Sequence, residues 1–225
     1  QALTFALSAD NAVIDRLGRL GSRLAFAKDT DSIPTTETVL PETVRIEKNI
    51  TQMGGGDING NYVILCVVVV DQYNKENEVV RQDYFVCRKD DDVLTPMNMP
   101  PGIPDRTEIG RADIVYFNDK LYLFSNGNPA LIYDDTADAL SSMSAETNWL
   151  PPQDDDGIIA TEIDGDIALP AYGRMWVSGV DGDYNRIYYS DLLIANQWYD
   201  GKGTPTDTQN TGGIIDVSEF WPNGG

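Results

Sequence analysis

The longest apolar run in the chain, Val63 to Val70 within NYVILCVVVVDQ, is rich in β-branched residues and apolar at both alternating sets of positions. A strand with one wet face alternates apolar with polar, so a run without alternation predicts a central strand covered on both sides. VVRQDYFVCRKD follows after the polar turn YNKENE, and the two stretches predict one long antiparallel hairpin. Further on, ADIVYFNDKLYLFSNGNPALIYDD predicts three short strands joined by tight turns at Asn118-Asp119 and between Ser125 and Pro129. The polar connection DTADALSSMSAETNWLPPQDDDG predicts one short helix around Ala137 to Ala145. The three-strand design then returns as LPAYGRMWVSGVDGDYNRIYYSD, with LYLF matched by MWVS and ALIYDD by RIYYSD, at an offset of about 54 to 56 residues.

Between these stretches the pattern is broken. AVIDRLGRLGSRLAF sets Gly18 and Gly21 among Arg16, Arg19 and Arg23; a glycine inside a helix costs about 1 kcal/mol, so extended or irregular backbone is expected there. SIPTTETVLPETV reads as a linker or edge segment. MGGGDINGN reads as a flexible turn, since a phosphate-cradling loop would follow a strand and open a helix. DDDVLTPMNMPPGIPD carries Pro96, Pro100, Pro101 and Pro104, which predict a connection without regular structure.

The fold class is therefore mainly β, with antiparallel sheets. The chain divides into an extended N-terminal segment (1–48), a β-hairpin subdomain (49–105) and blade-like strands (106–225). The repeat spacing lies near the roughly 50 residues of a four-stranded propeller blade. Two or three blades are expected, with a sandwich or other barrel as the alternative, and a closed ring would need further sequence. The chain opens on Gln1 rather than Met and stops at WPNGG within a turn-like stretch, as a portion of a longer polypeptide would.

Composition narrows the function classes. With 225 residues and 41% hydrophobic residues, a real core is within reach. No apolar run approaches the roughly 18 residues of a membrane helix, and no basic stretch precedes the short apolar start as in a secretory signal. The net charge of −20 argues against a nucleic-acid-binding surface and against docking on anionic lipid. There is no histidine, which removes Ser–His–Asp and Cys–His nucleophile pairs, His-ligated zinc and the commonest general base. Cys66 and Cys87 lie on the two arms of the long hairpin, where a disulfide and a pair of buried thiols are both open readings.

Carboxylates are abundant at Asp90 to Asp92, Asp134-Asp135, Asp154 to Asp156, Asp164 and Asp166, and Asp181 and Asp183. With 36 acids some pair at glycosidase spacing is inevitable, so an acid pair has little specificity, and no enzyme activity is expected. VDGDYN places Asp181, Asp183 and Asn185 at the alternate positions of a calcium loop. The pattern then fails, with Arg186 where the loop glycine belongs and Leu192 where the bidentate glutamate belongs. Asp-Gly is a favoured turn pair between strands, so a hairpin turn is the preferred reading and calcium the weaker one. Trp176 and Tyr188 sit within strands and are expected in the core, whereas Trp198 and Trp221 lie near turns and are freer to contact a partner.

The C-terminal third carries a resemblance. In AYGRMWVSGVDGDYNRIYYSDLL a Gly-Arg-(apolar)-Trp strand leads through a polar turn to a Tyr-Tyr-Ser-Asp strand, and an Ile-Asp segment follows, ending in Phe-Trp-Pro. The positions are Gly173, Arg174, Trp176, Tyr188, Tyr189, Ser190, Asp191, Ile215, Asp216, Phe220, Trp221 and Pro222. This block, together with the arginine-glycine opening near the start, resembles short-tail nozzle or stabilisation proteins of tailed bacteriophages, the tail tubular protein B type included. The resemblance is strong over about 55 residues of the C-terminal third, weaker at the N-terminus and without specific support in the middle of the chain. It implies a β-propeller-bearing virion subunit in a homo-hexameric ring, bordered by adaptor and fibre subunits. DNA would pass through the lumen without specific binding. It implies no catalytic residues, no cofactor and no membrane insertion. The rival reading is a calcium-dependent β-rich module that binds a carbohydrate or a receptor.

Overall fold

The computed structural model describes residues 39–90, 93–100, 112–125, 127–154, 157–199 and 212–219, together with two short paired strands nearer the start, β1 (Ala12–Ile14) and β2 (Leu20–Ser22). The prolines Pro101 and Pro104, the cations Arg16, Arg19, Arg23 and Lys28, and the break near residue 105 lie outside the described residues.

The protein is mainly β. Three four-stranded antiparallel sheets stack face to face. The first sheet runs in chain order through β3 (Arg45–Ile58), β4 (Asn61–Tyr73), β5 (Val79–Asp90) and β6 (Val93–Pro96). As the unbroken apolar run predicts, β4 is internal, paired to β3 on one side and β5 on the other. Its odd positions Val63, Leu65 and Val67 face the second sheet, and its even positions Cys66, Val68 and Val70 enter a separate apolar cluster with Leu94 and Phe85.

The second sheet is a meander of β7 (Ala112–Phe117), β8 (Lys120–Ser125), β9 (Asn128–Asp134) and β10 (Ala139–Ser142). Both its faces are buried. Ile114, Leu121, Leu123, Leu131 and Tyr133 pack on the first sheet, while Phe117, Tyr122, Phe124, Ala130 and Ile132 pack on the third. Three further strands form a small sheet, β11 (Leu150–Asp154), β12 (Gly157–Ile158) and β16 (Gln197–Tyr199), in which β11 and β16 are parallel. The third large sheet holds β13 (Ile167–Ala171), β14 (Arg174–Val180), β15 (Asp183–Tyr189) and β17 (Gly213–Asp216), in that spatial order.

Four expectations are corrected. The glycine run is not a turn: Gly54, Gly55 and Gly56 lie inside β3. A Cβ on Gly54 would sit 2.5 Å from the Ile114 carbonyl oxygen, and one on Gly56 would enter the Tyr116 ring. The glycines therefore let β7 approach the backbone of β3, a use of glycine in strands where another chain segment comes close. The expected helix at 137–145 is instead β10 followed by a single 3-10 turn, Met143–Ala145. Asp134 turns the chain early: its Oδ1 accepts the backbone N–H groups of Thr136 and Ala137. Asp138 then takes a left-handed φ of 47° and Leu140 pairs with Tyr133. Pro96 ends β6, an edge strand, where a proline removes no interior ladder bond. Trp198, read as freer than the strand aromatics to contact a partner, is fully buried between the second and third sheets, with no ring surface left for one.

The internal repeat is present in the fold, with one shift of register. Leu123 pairs with Ile114 and Val177 with Ala168, and all four point toward the preceding sheet, so β7–β8 and β13–β14 correspond as LYLF and MWVS do. Across the next ladder Leu123 meets Leu131, but Val177 meets Tyr188. Matching ALIYDD to RIYYSD would instead equate Leu131 with Ile187, one position away. In a strand that single step exchanges the two faces.

Candidate functional site

Nine of the twelve residues of the C-terminal block are described, and the fold gathers them on the third sheet and its rim; Phe220, Trp221 and Pro222 lie outside the described residues. The β13–β14 hairpin turns on Tyr172 and Gly173, with φ of 54° and 72°, a two-residue turn that needs left-handed backbone twice. Gly173 also needs its missing side chain, because a Cβ there would stand 2.9 Å from Leu192 Cδ1. The Leu193 N–H donates to the Gly173 carbonyl at 2.7 Å, and Asn118 Nδ2 donates to the Leu193 carbonyl at 2.8 Å. The loop after β15 is thereby fixed to turns of both the second and third sheets.

Arg174, Ser190, Asp191, Trp176 and Tyr189 fix this corner, while Tyr188 and Asp216 are held elsewhere on the sheet. Arg174 Nη1 donates to the Ser190 carbonyl at 2.6 Å, and its guanidinium lies 5.4 Å from the Tyr189 ring centre. Ser190 is fully buried; its Oγ accepts the Met175 N–H and donates to the Asp191 carbonyl, both at 3.0 Å. Asp191 Oδ1 accepts the Leu192 N–H at 2.6 Å. Trp176 and Tyr189 are direct cross-strand partners with ring centres 5.2 Å apart, and Trp176 Nε1 donates to the Ala171 carbonyl at 2.9 Å. Tyr188 points the other way, into the core, and burial holds its hydroxyl pKa up. Asp216 is paired in register with Arg186, and its carboxyl pKa is lowered by the Ser218 hydroxyl and N–H that it accepts.

Two cross-strand rows cover the outer face of this sheet: Ile167, Ser178, Ile187 and Ile215, then Leu169, Trp176, Tyr189 and Gly213. Ala171 and Arg174 continue the face toward the hairpin turn. None of these ten residues is acidic, in a chain with 36 acids, and Arg174 is their single charge. Leu169 is 59% exposed and Ile215 38%, and Tyr172 beside them is 92% exposed. Sequence periodicity identifies two faces but not which neighbour each face meets. The signal that could have found this surface is the run of alternate positions without acids, Ile167, Leu169 and Ala171 in β13, Arg174, Trp176 and Ser178 in β14, and Ile187 and Tyr189 in β15.

The calcium candidates stand in a hairpin turn. Asp181 and Gly182 have φ of 52° and 73°, and the Gly182 N–H closes the turn on the Gly179 carbonyl at 2.9 Å. Asp183 Oδ1 accepts the Asn185 N–H at 2.8 Å, and its Oδ2 lies 3.5 Å from Arg186 Nε. The Asp181 N–H donates to Asp164 Oδ1 at 2.8 Å, and burial raises the Asp164 pKa. Asp166 is buried and accepts the Tyr184 hydroxyl at 3.1 Å, while its other oxygen has no partner among the described residues. Among the described residues no three Asp, Glu, Cys or His side chains stand together as a metal-holding group.

Several other acids make local contacts. Asp138 Oδ1 lies 2.6 Å from Arg88 and accepts the Tyr133 hydroxyl at 3.0 Å, tying the first sheet to the second. An open cavity of about 240 Å³ brings Asp119, Asp134 and Asp135 near Lys120 and Glu146, which pair at 3.3 Å. Side chains of 90–92 and 154–156 lie outside the described residues. Among the described residues no helix is long and apolar enough to cross a membrane.

Compared with protein-family models, with curated proteins and with solved structures, the chain matches none.

Proposed function

We propose that this chain is a structural part of a phage virion, a segment of the short tail through which DNA is ejected. The observation that carries this reading is the outer face of the third sheet. Four of its residues, Arg174, Trp176, Tyr189 and Ile215, belong to the C-terminal block, its two cross-strand rows hold no carboxylate, and it leaves aromatic surface available for association. In this reading the stacked sheets are consecutive blades of a β-propeller. Copies of the full-length protein associate in a six-membered ring between neighbouring tail subunits. The acidic balance supports a passage role, because a negative wall repels the DNA backbone and lets it slide without sticking. No catalytic step and no cofactor enter the proposal.

Mass photometry and negative-stain averaging of the full-length protein test it. The expected result is a six-fold ring with a central channel, formed alone or on adding the adjoining tail subunits. A monomer that stays out of any ring with those subunits present overturns the proposal.

A further inference from the structure

Cys66 and Cys87 are direct Cα partners in the antiparallel β4–β5 ladder. Both are free thiols, fully buried, and enclosed in one cluster with Val68, Val70 and Leu94. Directly opposed residues of an antiparallel pair have Cα atoms about 4.5 Å apart at non-hydrogen-bonded sites and about 5.5 Å apart at hydrogen-bonded ones. Both values lie in the range of about 4.4–6.8 Å that a disulfide spans. No strand would have to slip for the two sulfurs to meet.

We propose that Cys66 and Cys87 form a cross-strand disulfide when the β4–β5 hairpin opens in the presence of a small-molecule disulfide, and that the closed fold protects them from it. This proposal is independent of the tail reading. Two features protect the closed state. The oxidant has no path to a fully buried sulfur. Burial also pushes the Cys66 thiol up to about 11 and the Cys87 thiol up to about 12, so the thiolate that must attack is scarce. On opening, both thiols regain an ordinary pKa near 9.0.

The reaction then runs in two exchanges. One cysteine thiolate attacks the small disulfide, breaking its S–S bond, releasing one small thiol and leaving a mixed disulfide. The second thiolate attacks the protein sulfur of that mixed disulfide and expels the other small thiol. The two protein thiols lose two electrons and two protons, and the small disulfide is reduced to two thiols. The product joins the two strands at a pair already in register, so refolding can proceed around it.

The test uses the full chain with oxidised glutathione, once in native buffer and once at the urea midpoint. Dilution, alkylation of remaining thiols under denaturing conditions and intact-mass measurement follow. From the native sample two alkylated cysteines are expected. From the opened sample the expected product has lost two hydrogens, takes no alkyl group, refolds, and melts several degrees above the reduced protein, since a cross-link of this loop size constrains the unfolded chain. Cys87→Ala should stop at one glutathione adduct and show no such rise. Three results would each overturn the proposal: glutathione left on both cysteines, an opened chain that stays reduced, or an oxidised chain that cannot refold. Equal oxidation in native buffer and in urea would overturn the protection.

Discussion

The second and third sheets share one design and live in different surroundings. Tyr122 in β8 and Trp176 in β14 hold equivalent places, each flanked by residues that pack on the preceding sheet. Tyr122 is covered by the third sheet; Trp176 is half-buried on an outer face, beside exposed Leu169 and Ile215. The same strand pattern thus yields a closed core layer in one place and an open apolar surface in the other. The core of this chain explains why Tyr122 is apolar. It does not explain why Trp176 is, and the association proposed above does.

The comparison is broken most directly by truncation. Phe124→Ala, on the covered face, should lose roughly 3–5 kcal/mol by urea unfolding, because it removes a fully buried ring and leaves a cavity. Trp176→Ala should cost this chain only about 1–2 kcal/mol, since part of the ring is already in water, yet should abolish ring assembly of the full-length protein. Equal losses of stability would mean that the outer face is covered within the chain.

Glycine contacts give the next test. Gly54→Ala drives a Cβ against the Ile114 backbone and should cost about 1–3 kcal/mol as the first two sheets move apart. Gly213→Ala meets no backbone but only the outer end of the Tyr189 side chain, its hydroxyl, Cζ and Cε1, which can swing aside on the open face, and should change the melting temperature much less.

Titration separates the buried edge from the exposed one. The Asp164 pKa is raised by burial, so its ionised form disfavours the fold. That penalty is complete above the folded pKa and vanishes as pH falls below the unfolded value near 3.9. Asp164→Asn should therefore raise the melting temperature at pH 7 and flatten its dependence on pH just above the carboxylate range. Asp216 has the opposite sign: its pKa is lowered, so its contribution is present above about 3.9 and is lost as pH falls. Asp216→Asn should remove a loss of stability below that pH.

The smallest effect belongs to the tie between Arg88 and Asp138, whose side chains are partly exposed. A double-mutant cycle with Arg88→Ala and Asp138→Ala should return a coupling of about 0.2–1 kcal/mol, reduced by salt.

How much of this could be read from the chain alone depends on where each signal comes from. β4 was legible because Val63 to Val70 is apolar on both faces, and the β7–β9 meander because Asn118-Asp119 and the Ser125–Pro129 turn punctuate alternating strands. β3 was not, because RIEKNITQMGGGDI has little alternation and three glycines; its pairing with β4 and the approach of β7 decide its state. Trp198 could not be told from a partner-contacting residue, because a three-residue strand carries little pattern and its burial arises from packing between the second and third sheets. The block residues from Gly173 to Asp191 were singled out in the sequence, but their division between inner and outer faces required the register. A one-residue ambiguity in matching β9 to β15 hid it.

The order of strands in the first sheet also has a kinetic consequence. VILCVVVV is the kind of segment that joins with copies of itself when exposed in an incomplete chain. In this sheet both of its partners are its immediate neighbours along the chain, β3 before it and β5 after it. Short-range pairing of this kind forms quickly relative to long-range contacts. The most aggregation-prone stretch can therefore be sheltered on both edges by nearby sequence, without waiting for the second or third sheet to form.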